Sequence, residues 1–64
     1  MPDFYRDITR LLRTNQFQRI PGGKGSHEKW ENQVLGRKVI VPRHLKSRHT
    51  ANQILKSAGI NKKI

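Results

Sequence analysis

Residues 22–30, Gly22-Gly23-Lys24-Gly25-Ser26-His27-Glu28-Lys29-Trp30, lie between two helical patterns in a chain of 64 residues. The segment combines three glycines, two lysines, a histidine and the only tryptophan of the chain. Glycines permit a sharp backbone turn, and lysines attract anions. We therefore predict that this segment turns the chain from one β-strand into the next and presents a phosphate-handling site.

Three short strands are predicted around this turn. Residues 17–20 precede it, residues 26–32 include its second half, and residues 38–41 contain three consecutive β-branched side chains, which suit a pleated surface. Pro21 and a hairpin at residues 34–37 separate the strands. Because connections this tight join only antiparallel strands, we expect a three-stranded antiparallel sheet.

Successive side chains of a strand point to opposite faces of a sheet. Ser26, Glu28 and Trp30 should therefore share one face, and His27 and Lys29 should share the other. Trp30 thus lies on the side of the strand that lacks the basic residues His27 and Lys29. This position favours packing of its ring against the core. Stacking of the ring on a nucleic-acid base is the alternative.

Two helices are predicted to flank the sheet. The first covers residues 4–14, with Asp3 as its N-cap and Asn15 at its end. The second follows a basic loop at residues 43–46, and Gly59 suits the position after its last turn. Their apolar stripes are Phe4, Ile8, Leu11 and Leu12 in the first helix, and Ala51, Ile54, Leu55 and Ala58 in the second.

Either Ser47 or Thr50 can cap the second helix, and Ile60 can pack back after Gly59. The element order is then helix, strand, strand, strand, helix. Two helices on one face of a three-stranded antiparallel sheet make a two-layer α+β domain.

The charge is strongly positive. Fourteen Lys and Arg residues face four Asp and Glu residues, for a formal net charge of +10. Nucleic acid is the first candidate partner, because neutralising phosphates releases counterions, and an anionic membrane surface is the second. No stretch approaches the roughly 20 apolar residues that span a bilayer, so we predict no membrane insertion.

The length suggests one domain, residues 1–64. A chain this short buries only about 60% of the surface that its unfolded form exposes, so its core is marginal. The sequence has no cysteine, which excludes disulfides and thiolate metal sites. It also shows no signal peptide, and we expect a cytoplasmic protein that is stabilised by packing, by a partner, or by both.

Known site motifs are absent. A phosphate-binding loop of the Walker type needs a glycine where Gln18 stands, and a Ser or Thr where Gly25 stands. His27, His44 and His49 lack the spacing of a zinc site, so no metal or cofactor is predicted.

An imidazole can still accept a proton near neutral pH, and RNA carries its own nucleophile, the 2′-hydroxyl. On spacing alone, a histidine on a strand is more often structural than catalytic, so the spacing by itself does not assign catalysis to His27.

Three motifs in register resemble the HicA toxin family of bacterial toxin–antitoxin modules. They are Gly25-Ser26-His27, the strand end Val39-Ile40-Val41-Pro42-Arg43-His44, and the helix end Ile54-Leu55-Lys56-Ser57-Ala58-Gly59-Ile60. The resemblance covers nearly the whole chain. It implies a fold similar to a double-stranded-RNA-binding domain, α-β-β-β-α, and an endoribonuclease that cleaves mRNA and inhibits translation. Glu28 stands where the family often has a second histidine.

The resemblance also implies that His27 is catalytic and that a HicB-type antitoxin covers its face. Gly22 stands where the family often has a basic residue, and Lys24 or Arg19 would supply that charge instead. His44 is a candidate second proton donor, with a solvated loop histidine as the simpler interpretation. The predicted RNA-binding residues are Lys24, Gly25, Ser26, Lys29, Arg43, His44, Lys46 and Arg48.

Two other functions remain open at this point. A non-catalytic RNA-binding module of the same fold would use the same cations, with His27 only as part of its surface. A small interaction protein would use the charge to bind an acidic protein. Cleavage of RNA that depends on His27 separates the first of these from a ribonuclease, and salt-sensitive binding to unrelated RNAs counts against the second.

Overall fold

The computed structural model describes residues 3–64. The predicted α-β-β-β-α order is confirmed, and the first helix and the three strands agree with the predicted ranges to within one residue at each end. The elements are α1 (Tyr5–Thr14), β1 (Gln18–Ile20), β2 (His27–Asn32), β3 (Arg37–Pro42) and α2 (Arg48–Ser57). Within residues 3–64, neither helix has the length and hydropathy needed to cross a bilayer.

The three strands form one antiparallel sheet in the order β1-β2-β3. In the centre of the sheet, Trp30 lies opposite Arg19 of β1 and Val39 of β3. The loop between β1 and β2, residues 21–26, contains three glycines, and we call it the glycine-rich loop. At the end of the sheet nearest this loop, His27 lies opposite Pro42. This pairing fixes which side chains share a face, because a shift of one residue would move every side chain of the strand to the opposite face of the sheet.

The alternation predicted for β2 is confirmed. Glu28, Trp30 and Asn32 are buried under the helices, whereas His27 is exposed and Lys29 half-buried on the open face of the sheet. The interpretation of Trp30 as a base-stacking residue is wrong, because its side chain is only 1% exposed. It lies on the core side of the sheet, with the Arg13 guanidinium 5.1 Å from its ring centroid.

Both helices pack on the same face of the sheet. The apolar stripe of α1 contributes Ile8 and Leu12, and that of α2 contributes Ala51, Ile54 and Leu55, all of them buried. The result is the predicted two-layer α+β domain, with dimensions of 33 × 28 × 15 Å. The rest of the core consists of Phe17, Trp30, Val39, Val41, Leu45, Ala58 and Ile60.

The N-cap predicted for α1 is wrong by one residue. Phe4 is the N-cap, and its backbone is already helical, with φ −86° and ψ 0°. The reason is tertiary, because the Phe4 N–H donates a hydrogen bond of 2.7 Å to the carbonyl of Leu45. Asp3 still satisfies one free donor of the first turn, since its Oδ1 accepts a hydrogen bond of 3.0 Å from the Tyr5 N–H.

Helix α2 has the predicted caps. Of the two candidates, Ser47 is the N-cap, and its hydroxyl accepts a hydrogen bond of 3.2 Å from the Thr50 N–H. At the other end Gly59 has φ +76°, and the Ile60 N–H donates to the Leu55 carbonyl at 2.9 Å. This is a Schellman motif, in which the buried Ile60 packs back against the helix.

Helix α1 ends in the same motif without a glycine. Asn15 is the C-cap, as predicted, and Gln16 takes the left-handed position with φ +67°. The next residue, Phe17, donates from its N–H to the Leu12 carbonyl at 2.8 Å and buries its ring. The packing of Phe17 thus holds Gln16 in a conformation that L-residues disfavour.

We expect Gln16→Gly to raise the free energy of unfolding by about 0.5–1 kcal/mol. The left-handed conformation costs an L-residue about 1–2 kcal/mol, and the greater freedom of glycine in the unfolded chain offsets about half of this gain. Urea denaturation measures the difference.

The reciprocal control is Gly59→Gln, which should lower the stability. A Cβ at position 59 has the same left-handed strain and also meets the Arg37 guanidinium at 3.3 Å. A Gln16→Gly protein that is no more stable than the wild type would contradict the strain assigned to Gln16.

Candidate functional site

An open pocket of about 500 Å³ lies beside the glycine-rich loop, where β2 begins and β3 ends. Its lining residues include glycines of the loop, one histidine, three cationic residues and Glu28. The lining residues are Arg19, Ile20, Pro21, Gly22, Gly23, Gly25, His27, Glu28, Lys29 and Arg43.

The loop is pressed closely against the start of β2. The carbonyl of Lys24 accepts a hydrogen bond of 3.0 Å from the His27 N–H, which closes a turn around Gly25, with φ +59°. A Cβ added to Gly23 would lie 2.1 Å from the His27 carbonyl oxygen. Position 23 therefore accepts only glycine without a shift of backbone, and this close approach helps to place His27 at the pocket.

His27 is exposed on the open face of the sheet, at the first position of β2. The pairing of β2 with β3 continues one residue past Pro42, since the Arg43 N–H donates to the Ser26 carbonyl at 2.8 Å. This hydrogen bond anchors the backbone of Arg43 next to that of His27. Within residues 3–64, no protein group forms a hydrogen bond or an ion pair with the His27 ring, so its nitrogens are available to a ligand.

Glu28, the neighbour of His27 in β2, is a buried carboxylate with four partners. Its Oε1 accepts hydrogen bonds from the Tyr5 hydroxyl at 2.6 Å and from the Trp30 Nε1–H at 3.3 Å. Its Oε2 lies 3.3 Å from Nη1 of Arg19 and 3.6 Å from Nε of Arg43. The Glu28 side chain is 8% exposed, whereas those of Arg19 and Arg43 are 64% and 63% exposed. The buried anion thus holds two cations that remain open to solvent at the pocket.

The same contacts shift two pKa values. Burial alone would raise the pKa of Glu28, but the hydrogen bonds from Tyr5 and Trp30 and the charge of Arg19 outweigh it, so the pKa lies below its ordinary value of 4.5. Burial, followed by the hydrogen bond to Glu28 and the charge of that residue, raises the pKa of the Tyr5 hydroxyl above 10.0. An ionised carboxylate and a neutral phenol are therefore the stable pair at neutral pH.

The structure brings four of the predicted site residues together at the pocket: Gly25, His27, Lys29 and Arg43. Lys24 and Ser26 do not line it, although their carbonyls accept the backbone hydrogen bonds that hold the loop and Arg43. Of the two residues predicted to replace the basic residue that Gly22 lacks, Arg19 lines the pocket and Lys24 does not.

The other predicted residues follow Arg43 and lie outside the pocket. His44 and Lys46 are exposed on the loop that crosses to α2, and the intervening Leu45 is buried and anchors this loop to the start of α1. Arg48 begins α2, and its guanidinium lies 5.7 Å from the ring centroid of Phe4. We refer to these three exposed residues, none of which lines the pocket, as the basic surface.

No group of three His, Cys, Asp or Glu side chains within residues 3–64 is arranged to hold a metal ion.

Residues 5–60 match the sequence model of a family described as HicA toxin of bacterial toxin-antitoxin, and this match spans every element and the whole pocket. The chain belongs to the HicA toxin family. As a HicA toxin, it has an antitoxin as its partner in a toxin–antitoxin module. No curated protein and no solved structure gives a significant match.

Sequence reasoning missed the part that Tyr5 and Glu28 play in this HicA site. They are 23 positions apart, and only the packing of α1 on β2 brings them together. One signal was present in the sequence. A carboxylate predicted to share the core side of a strand with Trp30 cannot stay unpaired, so it indicates cationic or hydroxyl partners.

The Glu28 cluster predicts a specific loss of stability in acid. A carboxyl group whose pKa is lowered by folding stabilises the folded state above its unfolded pKa, and this contribution disappears as the pH falls through the folded value. The HicA toxin should therefore lose stability as the pH falls from about 5 to 3, whereas Glu28→Gln should be less stable at pH 7 and change less over this range. Urea denaturation at pH 3, 4, 5 and 7 measures both proteins.

The matched control is Glu31→Gln, which removes a carboxylate whose Oε2 lies 3.8 Å from Nζ of Lys38, with side chains 20% and 57% exposed. A single long contact to an exposed lysine contributes little to stability, so the pH dependence should stay close to that of the wild type. Equal slopes for Glu28→Gln and Glu31→Gln would show that the Glu28 cluster does not set the acid stability.

Proposed function

We propose that this HicA toxin is a metal-independent endoribonuclease that cleaves mRNA and thereby inhibits translation, with His27 as the general base. The observation that carries this proposal is an exposed histidine, His27, among the residues that line a pocket together with Arg19, Lys29 and Arg43. Three cations against the single carboxylate of Glu28 leave the pocket positively charged, as a phosphodiester substrate requires.

The chemistry needs one proton acceptor and a stabilised phosphate. The His27 ring takes the proton of the ribose 2′-hydroxyl, and the 2′-oxygen attacks the adjacent phosphorus. The bond from phosphorus to the 5′-oxygen breaks, and that oxygen takes a proton from solvent, which reaches this open pocket. The products are a 2′,3′-cyclic phosphate and a 5′-hydroxyl end, and no cofactor enters the reaction.

The cations stabilise the charge that develops on the phosphate oxygens. A guanidinium stabilises this charge most effectively when its orientation is fixed before the reaction begins. The Glu28 carboxylate provides such an orientation, because it contacts Arg19 from β1 and Arg43 from the segment after β3. Lys29 and the backbone N–H groups of the glycine-rich loop complete the phosphate site.

The alternative is a non-catalytic RNA-binding module of the same fold. The observation that favours it is the basic surface formed by His44, Lys46 and Arg48, which lies outside the pocket and would bind phosphates without any chemistry. In that case His27 would only be one more contact for RNA.

The test is cleavage of a long single-stranded RNA by the purified toxin in EDTA. We expect the wild type to cut the RNA into fragments with cyclic phosphate ends, and His27→Ala to lower the rate at least about 100-fold, which is typical for loss of a general base. Gln33→Ala is the control, because this exposed residue lies in the turn between β2 and β3, at the other end of the sheet from the pocket, and its rate should stay within twofold of the wild type.

Binding by both proteins without cleavage by either would favour the binding module. Equal rates for the wild type and His27→Ala would remove His27 from the reaction.

We further propose that a HicB-type antitoxin covers the His27 face, and that the single domain of residues 1–64 acts in the cytoplasm, where mRNA is found. The open face of the sheet carries Ile20, Lys29 and the half-exposed Ile40 in one cross-strand row, next to His27. An acidic partner with apolar contacts fits this row. A toxin with a marginal core is also stabilised by any partner that binds only its folded state.

The antitoxin should therefore protect His27 selectively. With the antitoxin at about 100 times its Kd, we expect a gain of about 2.7 kcal/mol in toxin stability and slower carbethoxylation of His27 by diethyl pyrocarbonate. His49 is the internal control and should react at its original rate. Equal protection of the two histidines, or a toxin melting temperature that the antitoxin leaves unchanged, would contradict binding at the His27 face.

A further inference from the structure

A second cationic depression lies on the opposite side of α2 from the sheet. It has a volume of about 500 Å³ and shares no residue with the His27 pocket. We call it the tail groove, because it lies between the outer face of α2 and the C-terminal residues. Its lining consists of His49, Asn52, Gln53, Lys56, Ile60, Asn61, Lys62 and Lys63.

The tail groove is held in shape by two contacts. The chain reverses at Gly59, and Ile60 is 8% exposed, which anchors the start of the tail in the core. At the far end, the Ile64 N–H donates a hydrogen bond of 2.8 Å to Oδ1 of Asn52. Residues 60–64 therefore run back along α2, and Lys62 and Lys63 are held beside the helix.

The helix side of the groove is a regular polar stripe. His49, Asn52, Gln53 and Lys56 follow one another at spacings of three, one and three residues, which places them on one face of α2. Seven residues of helix rise about 10 Å, so the stripe forms a short extended channel. The tail lysines form its second wall.

No Asp or Glu is among the residues that line the groove. Every Asp and Glu of the chain lies at or before position 31, whereas residues 32–64 contain eight Lys and Arg residues. No ion pair within residues 3–64 involves Lys56, Lys62 or Lys63. These three ammonium groups are therefore available to an anion from outside the molecule.

The side chains indicate which kind of anion fits. Protein interfaces are enriched in aromatic residues and arginine and are depleted in lysine. The tail groove has three lysines, three amides and one histidine, and its single apolar residue, Ile60, is buried. Lysine, asparagine and glutamine are typical donors to phosphate and sugar oxygens of nucleic acids.

We propose that the tail groove binds the phosphate backbone of RNA, as a second contact that is separate from the His27 pocket. The choice of RNA rests on the proposed ribonuclease function. Because the groove offers flexible ammonium groups and amides, it adds affinity without reading the base sequence. Lys62 and Lys63 also lie beyond residues 5–60, which match the HicA family, so this contact involves residues outside the matched segment.

The experiment measures the salt dependence of binding rather than cleavage. A fluorescent single-stranded RNA is titrated with the His27→Ala protein at several KCl concentrations, so the RNA stays intact. We expect Lys62→Gln/Lys63→Gln in this background to reduce the slope of log K against log salt by about 1.4, which is about 0.7 for each phosphate that the protein no longer neutralises. Far-UV circular dichroism confirms that the variant is folded.

The matched control is Arg6→Gln/Arg10→Gln, which removes the same charge from the exposed surface of α1. It should lower the slope by less than half as much, because a reduced net charge alone removes no local interaction with a phosphate. Equal slopes for the two double variants would overturn the proposal. Loss of antitoxin binding by Lys62→Gln/Lys63→Gln with RNA binding unchanged would also overturn it, in favour of an acidic protein.

The outcome is independent of the cleavage assay. If the tail variant loses salt dependence although the wild type does not cut RNA, the groove is an RNA contact and the ribonuclease proposal fails. If the wild type cuts RNA through His27 and the tail variant binds like the control, the ribonuclease proposal stands and the tail groove fails.

Discussion

The buried carboxylate of Glu28 is the interaction on which this small molecule most depends. An ion removed from water is tolerable only if charges and hydrogen bonds surround it, and here four partners do so. Tyr5 comes from α1, Arg19 from β1, Trp30 from β2, and Arg43 from the segment after β3. A single anion therefore joins α1 to β1, β2 and the segment after β3, and it holds two cations among the residues that line the pocket.

This arrangement divides the positive charge of the HicA toxin into two kinds. At the His27 pocket, an internal anion contacts Arg19 and Arg43, and this preorganisation is what the proposed ribonuclease chemistry relies on. In the tail groove, Lys62 and Lys63 have no such partner within residues 3–64, and they attract anions without a fixed geometry. In the proposed ribonuclease, a net charge of +10 thus combines one directed site with a wider field that attracts RNA.

Much of the fold could be predicted because the signals were local. Alternation in β2, the β-branched run in β3 and the glycine after α2 each act within a few residues. The exceptions have tertiary causes, since the carbonyl of Leu45 moves the N-cap of α1 from Asp3 to Phe4, and the packing of Phe17 forces a left-handed Gln16. The candidate site was likewise predictable where its signals are local and not where it depends on tertiary contacts. His27 and its glycine-rich loop were visible in the sequence, but the meeting of Tyr5, Arg19 and Arg43 around Glu28 depends on contacts between distant segments.

The adjacency of His27 and Glu28 has a consequence for how this sequence can change over evolutionary time. One peptide bond separates a side chain that must face solvent from one that must be buried, so a deletion of one residue inside β2 would exchange their faces. It would place the imidazole on the core side of the sheet, beside Tyr5 and Trp30, and the carboxylate on the open face. Length changes are therefore excluded from the strand and must fall in residues 21–26, where the loop can take them up. Variation in HicA toxins of this kind should accordingly be rich in loop-length differences there and free of them in the strand that follows.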